Sequence, residues 1–317
     1  MEAKIKVEHL TKKYQSQKGN AAIDDINLSI HQGELFGLVG PDGAGKTTTL
    51  RIISTVLEQS NGVAWVAGFD TKKEAEKARP HIGYMPQNFS LYPDLSVLEN
   101  LNFFANLNQV PKTRKQVRTQ EMLSFTRLER FKSRRAGKLS GGMKKKLALA
   151  CALIHDPEVL ILDEPSTGVD PVSRRELWVI LSEVAKQGVT ILVSTPYMDE
   201  AERCNRVGML YEGHILTIGT PKELRENIPY EIIEVKAKPR KAMRRIVGET
   251  NEILDWRPVG DQLRLTILDT DSTVKRVMKS LTQSFRRESL DVRVLRQVKP
   301  SMEDVFVHLI GSQVSPQ

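Results

Sequence analysis

The segment Gly40-Pro41-Asp42-Gly43-Ala44-Gly45-Lys46-Thr47 fits the pattern G-x-x-x-x-G-K-[ST], which works only between a strand and a helix. Both flanks agree. Glu34-Leu35-Phe36-Gly37-Leu38-Val39 reads as a buried strand, and Thr47 to Leu57 reads as a helix. The loop between them presents backbone N–H groups at the positive end of a helix dipole, where phosphate binds. Gly40, Gly43 and Gly45 let the backbone bend and come close. Pro41, Asp42, Ala44 and Thr48 complete the expected nucleotide contact. Lys46 is expected to reach the β- and γ-phosphates, and the Thr47 hydroxyl to ligate Mg²⁺. A glycine-rich turn with a surface lysine would fit the loop but not its flanks.

Three further motifs follow in order. Gln87 closes Tyr84-Met85-Pro86-Gln87, Leu139-Ser140-Gly141-Gly142-Met143 comes next, and the apolar run Val159-Leu160-Ile161-Leu162 ends on Asp163-Glu164. That run reads as a second buried strand. Asp163 is placed to hold the Mg²⁺ shell, and Glu164 could accept a proton from an attacking water. Taken alone, two acids could simply end a strand. Ser140 reads as the N-cap of a helical run from Lys144 to Ile154, and the bare Gly141 and Gly142 expose N–H groups to an anion.

The four motifs in this order resemble those of ATP-binding-cassette (ABC) ATPases, over about residues 3 to 225. The resemblance implies an α/β phosphate-loop core with a helical subdomain, binding ATP and Mg²⁺. It also implies that two nucleotide-binding domains dimerise head to tail, each ATP held between one phosphate loop and the partner's Ser140-Gly141-Gly142 segment. By the same resemblance Tyr14 stacks on adenine. Gln87 contacts Mg²⁺ or the attacking water and reports to a membrane subunit, and Asp170 lies in a loop crossing the dimer interface. The segment Leu91 to Val97 would pack against that membrane subunit.

One position departs from the family. A histidine that touches the γ-phosphate is expected after the strand Val189 to Ser194, where this chain has Thr195-Pro196. Proline has no side-chain donor and no N–H. Efficient hydrolysis at this chain's own site is therefore in doubt, and a heterodimer with a cassette that keeps the histidine resolves it; a homodimer that tolerates proline is the alternative. Asp42, where asparagine is commoner, is expected to be near neutral.

Charge is uneven. Residues 112–146 hold 13 Lys/Arg against 2 Asp/Glu, a balance of +11, while the net charge of the chain is +8, so the rest sums to −3. A solvated helical face, an anionic membrane leaflet and nucleic acid all fit such a stretch. Only Phe125 and Phe131 interleave aromatic rings, which argues against nucleic acid. Cys151 and Cys204 are the only cysteines, and Cys151 sits in an apolar run, so no disulfide framework is expected. No apolar run reaches the roughly 18 residues needed to cross a bilayer, and Met1-Glu2-Ala3-Lys4 lacks the apolar stretch of a secretory signal. A cytoplasmic protein, peripheral on the inner face of the membrane, is expected.

The pattern changes near residue 225. Residues 1–225 are expected to form the nucleotide-binding domain, with a helical subdomain at about 90–145, and residues 230–317 a small α+β domain. In the latter, Tyr230 to Ala237 reads as a strand and Pro239 to Val247 as a helix. Ile253 to Arg257 and Gln262 to Leu268 form a hairpin across Gly260-Asp261. Ser272 to Phe285 reads as a helix, Asp291 to Val298 as a strand, and Met302 to Leu309 as a helix capped by Ser301. The order β-α-β-β-α-β is that of a ferredoxin-like fold. The segment Lys299 to Phe306 and the run Asp163 to Arg175 resemble bacterial drug-exporter ATPases of the daunorubicin-resistance type. Ser173 to Trp178 and Ser194 to Tyr197 further resemble the first cassette of two-cassette exporters. An ATPase that powers export through separate membrane permease subunits is expected. A soluble ABC ATPase acting on ribosomes or DNA, and an importer ATPase, are the other classes considered.

Overall fold

The computed structural model describes residues 2–14, 21–88, 91–268 and 271–314; Met1 and the last three residues of the expected accessory domain lie outside these. The chain divides into two compact units, one ending at Pro221 and the other beginning at Lys222.

The first unit opens with β1 (Ala3–Lys13) and β2 (Ala21–His31), then β3 (Leu35–Val39), α1 (Lys46–Ile53), β4 (Asn61–Val66) and β5 (Phe69–Asp70). Next come α2 (Ala75–Ala78), β6 (Ile82–Met85), α3 (Val97–Leu107), α4 (Lys112–Phe125) and α5 (Gly141–Leu153). The unit continues through β7 (Val159–Asp163), α6 (Pro171–Lys186), β8 (Thr190–Thr195), α7 (Met198–Ala201), β9 (Arg206–Tyr211) and β10 (His214–Gly219). The short α8 (Pro221–Glu226) spans the division.

Two sheets result. One runs β2-β1-β4-β5 and is antiparallel; the other runs β10-β9-β3-β8-β7-β6 and is parallel except at β10. Every residue of β3, β7 and β8 is buried. That is why these strands read as unbroken apolar runs, as expected for parallel strands covered on both faces. Leu50, Ile52 and Ile53 of α1 share one core cluster with Ile5 and Ile26 of the antiparallel sheet and Leu38 and Ile161 of the parallel one. The second half of α1 is thereby fixed against both sheets. An α/β core ordinarily alternates strands with helices, but at the beginning of the chain β1 and β2 pair directly as antiparallel neighbours.

Within the expected helical subdomain, residues 97–107 and 112–125 are helical. Ser96 caps α3 in a full capping box with Glu99. The helix expected to reach Leu57 ends at Ile53, because Thr55 takes a left-handed backbone at φ 62°. The helix expected from Lys144 begins at Gly141, directly after its Ser140 cap.

The second unit holds β11 (Tyr230–Lys238), α9 (Arg240–Gly248), β12 (Ile253–Val259), β13 (Gln262–Leu268), α10 (Asp271–Arg287), β14 (Asp291–Val298) and α11 (Met302–Val314). Its sheet is antiparallel in the order β12-β13-β11-β14. This is the ferredoxin-like β-α-β-β-α-β arrangement. Met243, Ile246 and Val247 of α9, with Val277, Leu281 and Phe285 of α10, pack on Ile233, Val235, Leu263, Leu265 and Ile267 of the sheet. Asp304, near the start of α11, accepts from Arg257 at 2.6 Å and from Arg264 at 2.7 Å.

Candidate nucleotide-binding site

The loop from Gly40 to Gly45 joins the C-terminal end of β3 to the N-terminal end of α1. Gly45 is the N-cap of α1 at φ 107°, and a Cβ there would come within 2.6 Å of Ile23 Cγ2. No L-residue with a side chain fits that position. Gly43 has φ 81° and open space beside it. The N–H groups of Lys46, Thr47 and Thr48 form the first helical turn and have no intrahelical acceptor.

Lys46 is buried, and its Nζ donates to Gly40 O at 2.8 Å and Pro41 O at 3.0 Å. The same ammonium lies 3.4 Å from Glu164 Oε1 and 3.9 Å from Asp42 Oδ1. The Asp42 side chain is 91% exposed, so that longer contact contributes little. Thr47 Oγ1 donates to Asp163 Oδ1 at 3.1 Å. Gln87 Nε2 donates to Glu164 Oε2 at 2.9 Å. Three residues named from two separate motifs thus converge on the two adjacent carboxylates of a third. Glu164 sits at φ 48°, a left-handed backbone unusual for glutamate. Asp163 ends β7, and Glu164 turns sharply out of the strand while its N–H donates to Ser194 Oγ at 3.0 Å.

These residues border a cleft of about 1150 Å³. Tyr14, Asp42, Gly43, Gly45, Lys46, Thr47, Thr48, Gln87 and Glu164 line it. Tyr14 approaches Thr48 Oγ1 at 3.4 Å through its hydroxyl, and Lys12 Nζ stands 5.4 Å from the Tyr14 ring centroid. A Cβ at Gly40 would collide with Leu210 O at 2.1 Å, so this glycine answers a close approach to β9.

Ser140, Gly141, Gly142 and Asp170 do not line this cleft. Each has a local explanation within the chain. Ser140 Oγ accepts from Met143 N at 3.3 Å and caps α5. A Cβ on Gly142 would come within 2.3 Å of Ser173 Oγ, so the starts of α5 and α6 require a glycine there. Asp170 caps α6 by accepting from Val172 N at 3.1 Å and Ser173 N at 3.0 Å, and these bonds, led by that to Ser173, hold its carboxyl below the ordinary range.

At Pro196 the polar groups turn away. Thr195 donates to Glu200 Oε2 and accepts from Tyr197 N at 3.1 Å. Glu200 is fully buried and also takes Arg174 Nε at 2.6 Å and Trp178 Nε1 at 3.0 Å. The guanidinium of Arg174 lies 4.5 Å from the Tyr197 ring centroid. The end of β8 is thus fixed by an internal network in which Pro196 offers no donor.

Sequence reasoning passed over two residues at the site. Ser194 Oγ donates to Asp163 Oδ1 at 2.7 Å, and the available signal was a small polar residue at the end of a buried apolar strand. Lys145 Nζ donates to Gln87 O at 3.1 Å. Burial pulls its ammonium below the ordinary lysine value, while Glu164 and Asp163 act in the opposite direction. Its position between Lys144 and Lys146 in a basic run hid it.

Comparison with known proteins agrees with this geometry. Residues 23–167 match the ABC transporter family, and residues 219–310 match the C-terminal domain of DrrA1-3-like ATP-binding proteins. The chain is 40% identical over 293 residues to an Escherichia coli protein described as "Probable multidrug ABC transporter ATP-binding protein YbhF", covering 92% of this chain and 49% of that relative. It therefore spans about half the length of that protein. It is 32% identical to the daunorubicin resistance ATP-binding protein DrrA2 of Streptomyces coeruleorubidus, covering 97% of this chain and 95% of the relative. Among solved structures, the ATP-binding cassette MJ0796, determined as a dimer in a post-hydrolysis state bound to ADP and Pi, superposes with a TM-score of 0.62 at 27% identity. That match covers 68% of this chain and 98% of the other. Shared sequence along nearly the whole chain, and a cassette fold built around the phosphate loop, place this protein in the family of ABC transporter ATP-binding subunits, which are ATPases, with a DrrA-like C-terminal domain.

Proposed function

We propose that this chain binds Mg-ATP in the phosphate-loop cleft and hydrolyses it as one of two paired cassettes, powering export through separate membrane subunits. The observation that carries the reading is the convergence of Lys46 and Gln87 on Glu164, beside the Thr47–Asp163 pair. The site fits its ligand. The glycine-lined loop leaves room for phosphate, and the buried Lys46 has only carbonyl and carboxylate partners. Thr47, Gln87 and Asp163 would hold Mg²⁺, since hard oxygen donors suit it. Among the described residues no cluster of three or more His, Cys, Asp or Glu could hold a metal alone, so substrate phosphates would complete its shell. The bound ion would neutralise charge on the transferring phosphoryl group.

The residues divide the remaining work. Loop N–H groups and Lys46 bind and orient the phosphates. Tyr14 offers its ring to adenine. Glu164, oriented by Gln87 and by Thr167 Oγ1 at 3.3 Å, takes a proton from the attacking water. The Ser140-Gly141-Gly142 segment and Asp170 lie outside this chain's own cleft, which suits action across a head-to-tail dimer. The dimeric state of the related cassette supports the same arrangement. Export is supported by relatives described as multidrug, daunorubicin-resistance and Nod factor export ATP-binding proteins. No helix among the described residues is long and apolar enough to cross a membrane. In this reading passage runs through partner subunits. The chain would then work at the cytoplasmic face of the membrane.

Pro196 favours an unequal pair. The end of β8 spends its polar groups on Glu200, so this chain's own site lacks a side-chain donor there. A partner cassette supplying that donor would turn over ATP at the composite site holding this chain's Ser140 segment. The test compares turnover by the purified chain alone, by the chain with a partner cassette, and by Pro196→His. Slow turnover alone, raised by the partner or by Pro196→His, is expected. Fast turnover by the chain alone, unchanged in Pro196→His, would refute the unequal pair.

A further inference from the structure

A second cleft, formed within the helical part of the cassette, has the chemistry of a ligand site. It lies between α3 and α4, holds about 610 Å³, and shares no lining residue with the phosphate-loop cleft. Its size falls within the roughly 300–1000 Å³ of small-molecule sites. Lys112, Lys115 and Lys132 line it together with several amide side chains, and among the described residues no Asp or Glu does. Lys115 Nζ donates to Asn106 Oδ1 at 2.8 Å, which fixes one ammonium in the wall. Leu98 N donates to Lys132 O at 2.9 Å, which ties the segment carrying Lys132 to the start of α3. Among the described residues neither Lys112 nor Lys132 has an ion-pair partner. The nearby Glu129 is engaged instead by Gln120 Nε2 at 2.5 Å.

The second observation is independent of charge. Thr119, on α4, also lines the cleft, is only 4% exposed, and its hydroxyl has no hydrogen-bond partner among the described residues. A buried hydroxyl left unpaired is costly unless a ligand supplies the partner. Three unneutralised cations and one orphan donor call for a compact anion with several acceptor oxygens. Leu98 and Leu123 add apolar surface suited to a carbon skeleton.

We propose that this cleft binds a phosphorylated small ligand, its phosphate between Lys112, Lys115 and Lys132 and one oxygen accepting from Thr119. A free phosphate ester and a phospholipid headgroup share this chemistry. The inference does not depend on ATP hydrolysis. It also accounts for part of the +11 balance of residues 112–146.

The test uses the full-length chain and hydrogen–deuterium exchange read over residues 97–132, so that anion binding at the phosphate loop is not counted. One arm adds glycerol 3-phosphate. The other adds phosphatidylcholine vesicles with or without phosphatidic acid. Slowed exchange with the soluble ester assigns a free metabolite, and slowed exchange only with phosphatidic acid vesicles assigns a headgroup; either supports the site. Each lysine removed should weaken binding about fivefold, by analogy with basic residues at an anionic surface. The triple variant Lys112→Gln, Lys115→Gln, Lys132→Gln should therefore bind roughly a hundredfold more weakly. Thr119→Val should weaken it by a smaller factor. A charge-matched control, Arg127→Gln, Arg130→Gln, Lys138→Gln, removes three exposed cations outside the cleft. It should bind as the wild type does. Protection by neither probe, or equal loss in both triple variants, would overturn the proposal.

Discussion

The two units of this chain use buried charge in opposite ways. In the first, Lys46 and Glu164 are buried, yet they meet at only 3.4 Å and border an open cleft. In the second, Asp304 is buried between Arg257 at 2.6 Å and Arg264 at 2.7 Å. Arg264 also bonds Glu234 at 2.8 Å, and Arg296 bonds the same carboxylate at 2.9 Å. Charges in the second unit neutralise one another and hold α11 to the sheet. Those in the first retain capacity for a ligand that is itself charged. Burying a charge is expensive unless it is paired. A loosely paired buried cluster in a cleft therefore marks a functional site, while a closed network marks a structural one.

The contrast is broken most severely by removing the carboxylate assigned to proton transfer. Glu164→Gln keeps the shape and the neighbours of the side chain. Steady-state turnover by the purified chain alone should fall about 10²- to 10⁴-fold, the range for losing a general base. Mg-ATP affinity should hold. Turnover within a few-fold of wild type would move the base elsewhere.

In the second unit the same kind of change should alter stability and not chemistry. Asp304→Asn removes the hub of the network and leaves Arg257 and Arg264 with only their outer carboxylates, Glu303 and Glu234. Breaking a buried pair costs on the order of 3 kcal/mol. Urea unfolding should show that loss in the second unit, with ATP binding unaltered. The wild type should also carry a pH signature. Burial acts to raise the Asp304 carboxyl, but the Ser301 N–H, Arg257 and Arg264 together hold it below the ordinary carboxylate value. A carboxyl lowered in the folded state adds stability above its unfolded pKa, about 3.9, and loses it as pH falls through the folded value. The second unit should therefore weaken in acid, and Asp304→Asn should flatten that slope. An unchanged slope would assign the acid response to other groups.

A smaller effect sharpens the division itself. The described residues that line the phosphate-loop cleft all belong to the first unit, so a fragment of residues 1–228 should bind Mg-ATP about as tightly as the full chain. Calorimetry on the folded fragment checks this. Loss of binding would show that the nucleotide site needs the second unit.

Much of this contrast is legible in the sequence, for unequal reasons. Backbone demands are explicit there. Gly45 at φ 107° and the apolar strands ending at Val39 and Asp163 follow from local patterns. So does the hairpin across Gly260, which sits at φ 62°. Contacts between distant segments are not explicit. Nothing local to Lys145 shows that it reaches the Gln87 carbonyl, 58 residues away. Arg264 and Asp304, 40 residues apart, likewise look like ordinary surface charges until the sheet and α11 bring them together. Gly142 and Asp170 show the converse. Their motif positions point to an interface, and the folded chain gives each a local reason to be there as well.

Lys46, the buried cation of the phosphate loop, carries the nucleotide-site assignment most directly. Isothermal calorimetry with Mg-ATP on the wild type and on Lys46→Ala tests it, with circular dichroism confirming that the variant is folded. Losing a charged contact to phosphate typically costs about 1.5–3 kcal/mol, so affinity should drop roughly ten- to 150-fold. A folded Lys46→Ala protein that binds Mg-ATP as tightly as the wild type would contradict the assignment of this cleft as the nucleotide site.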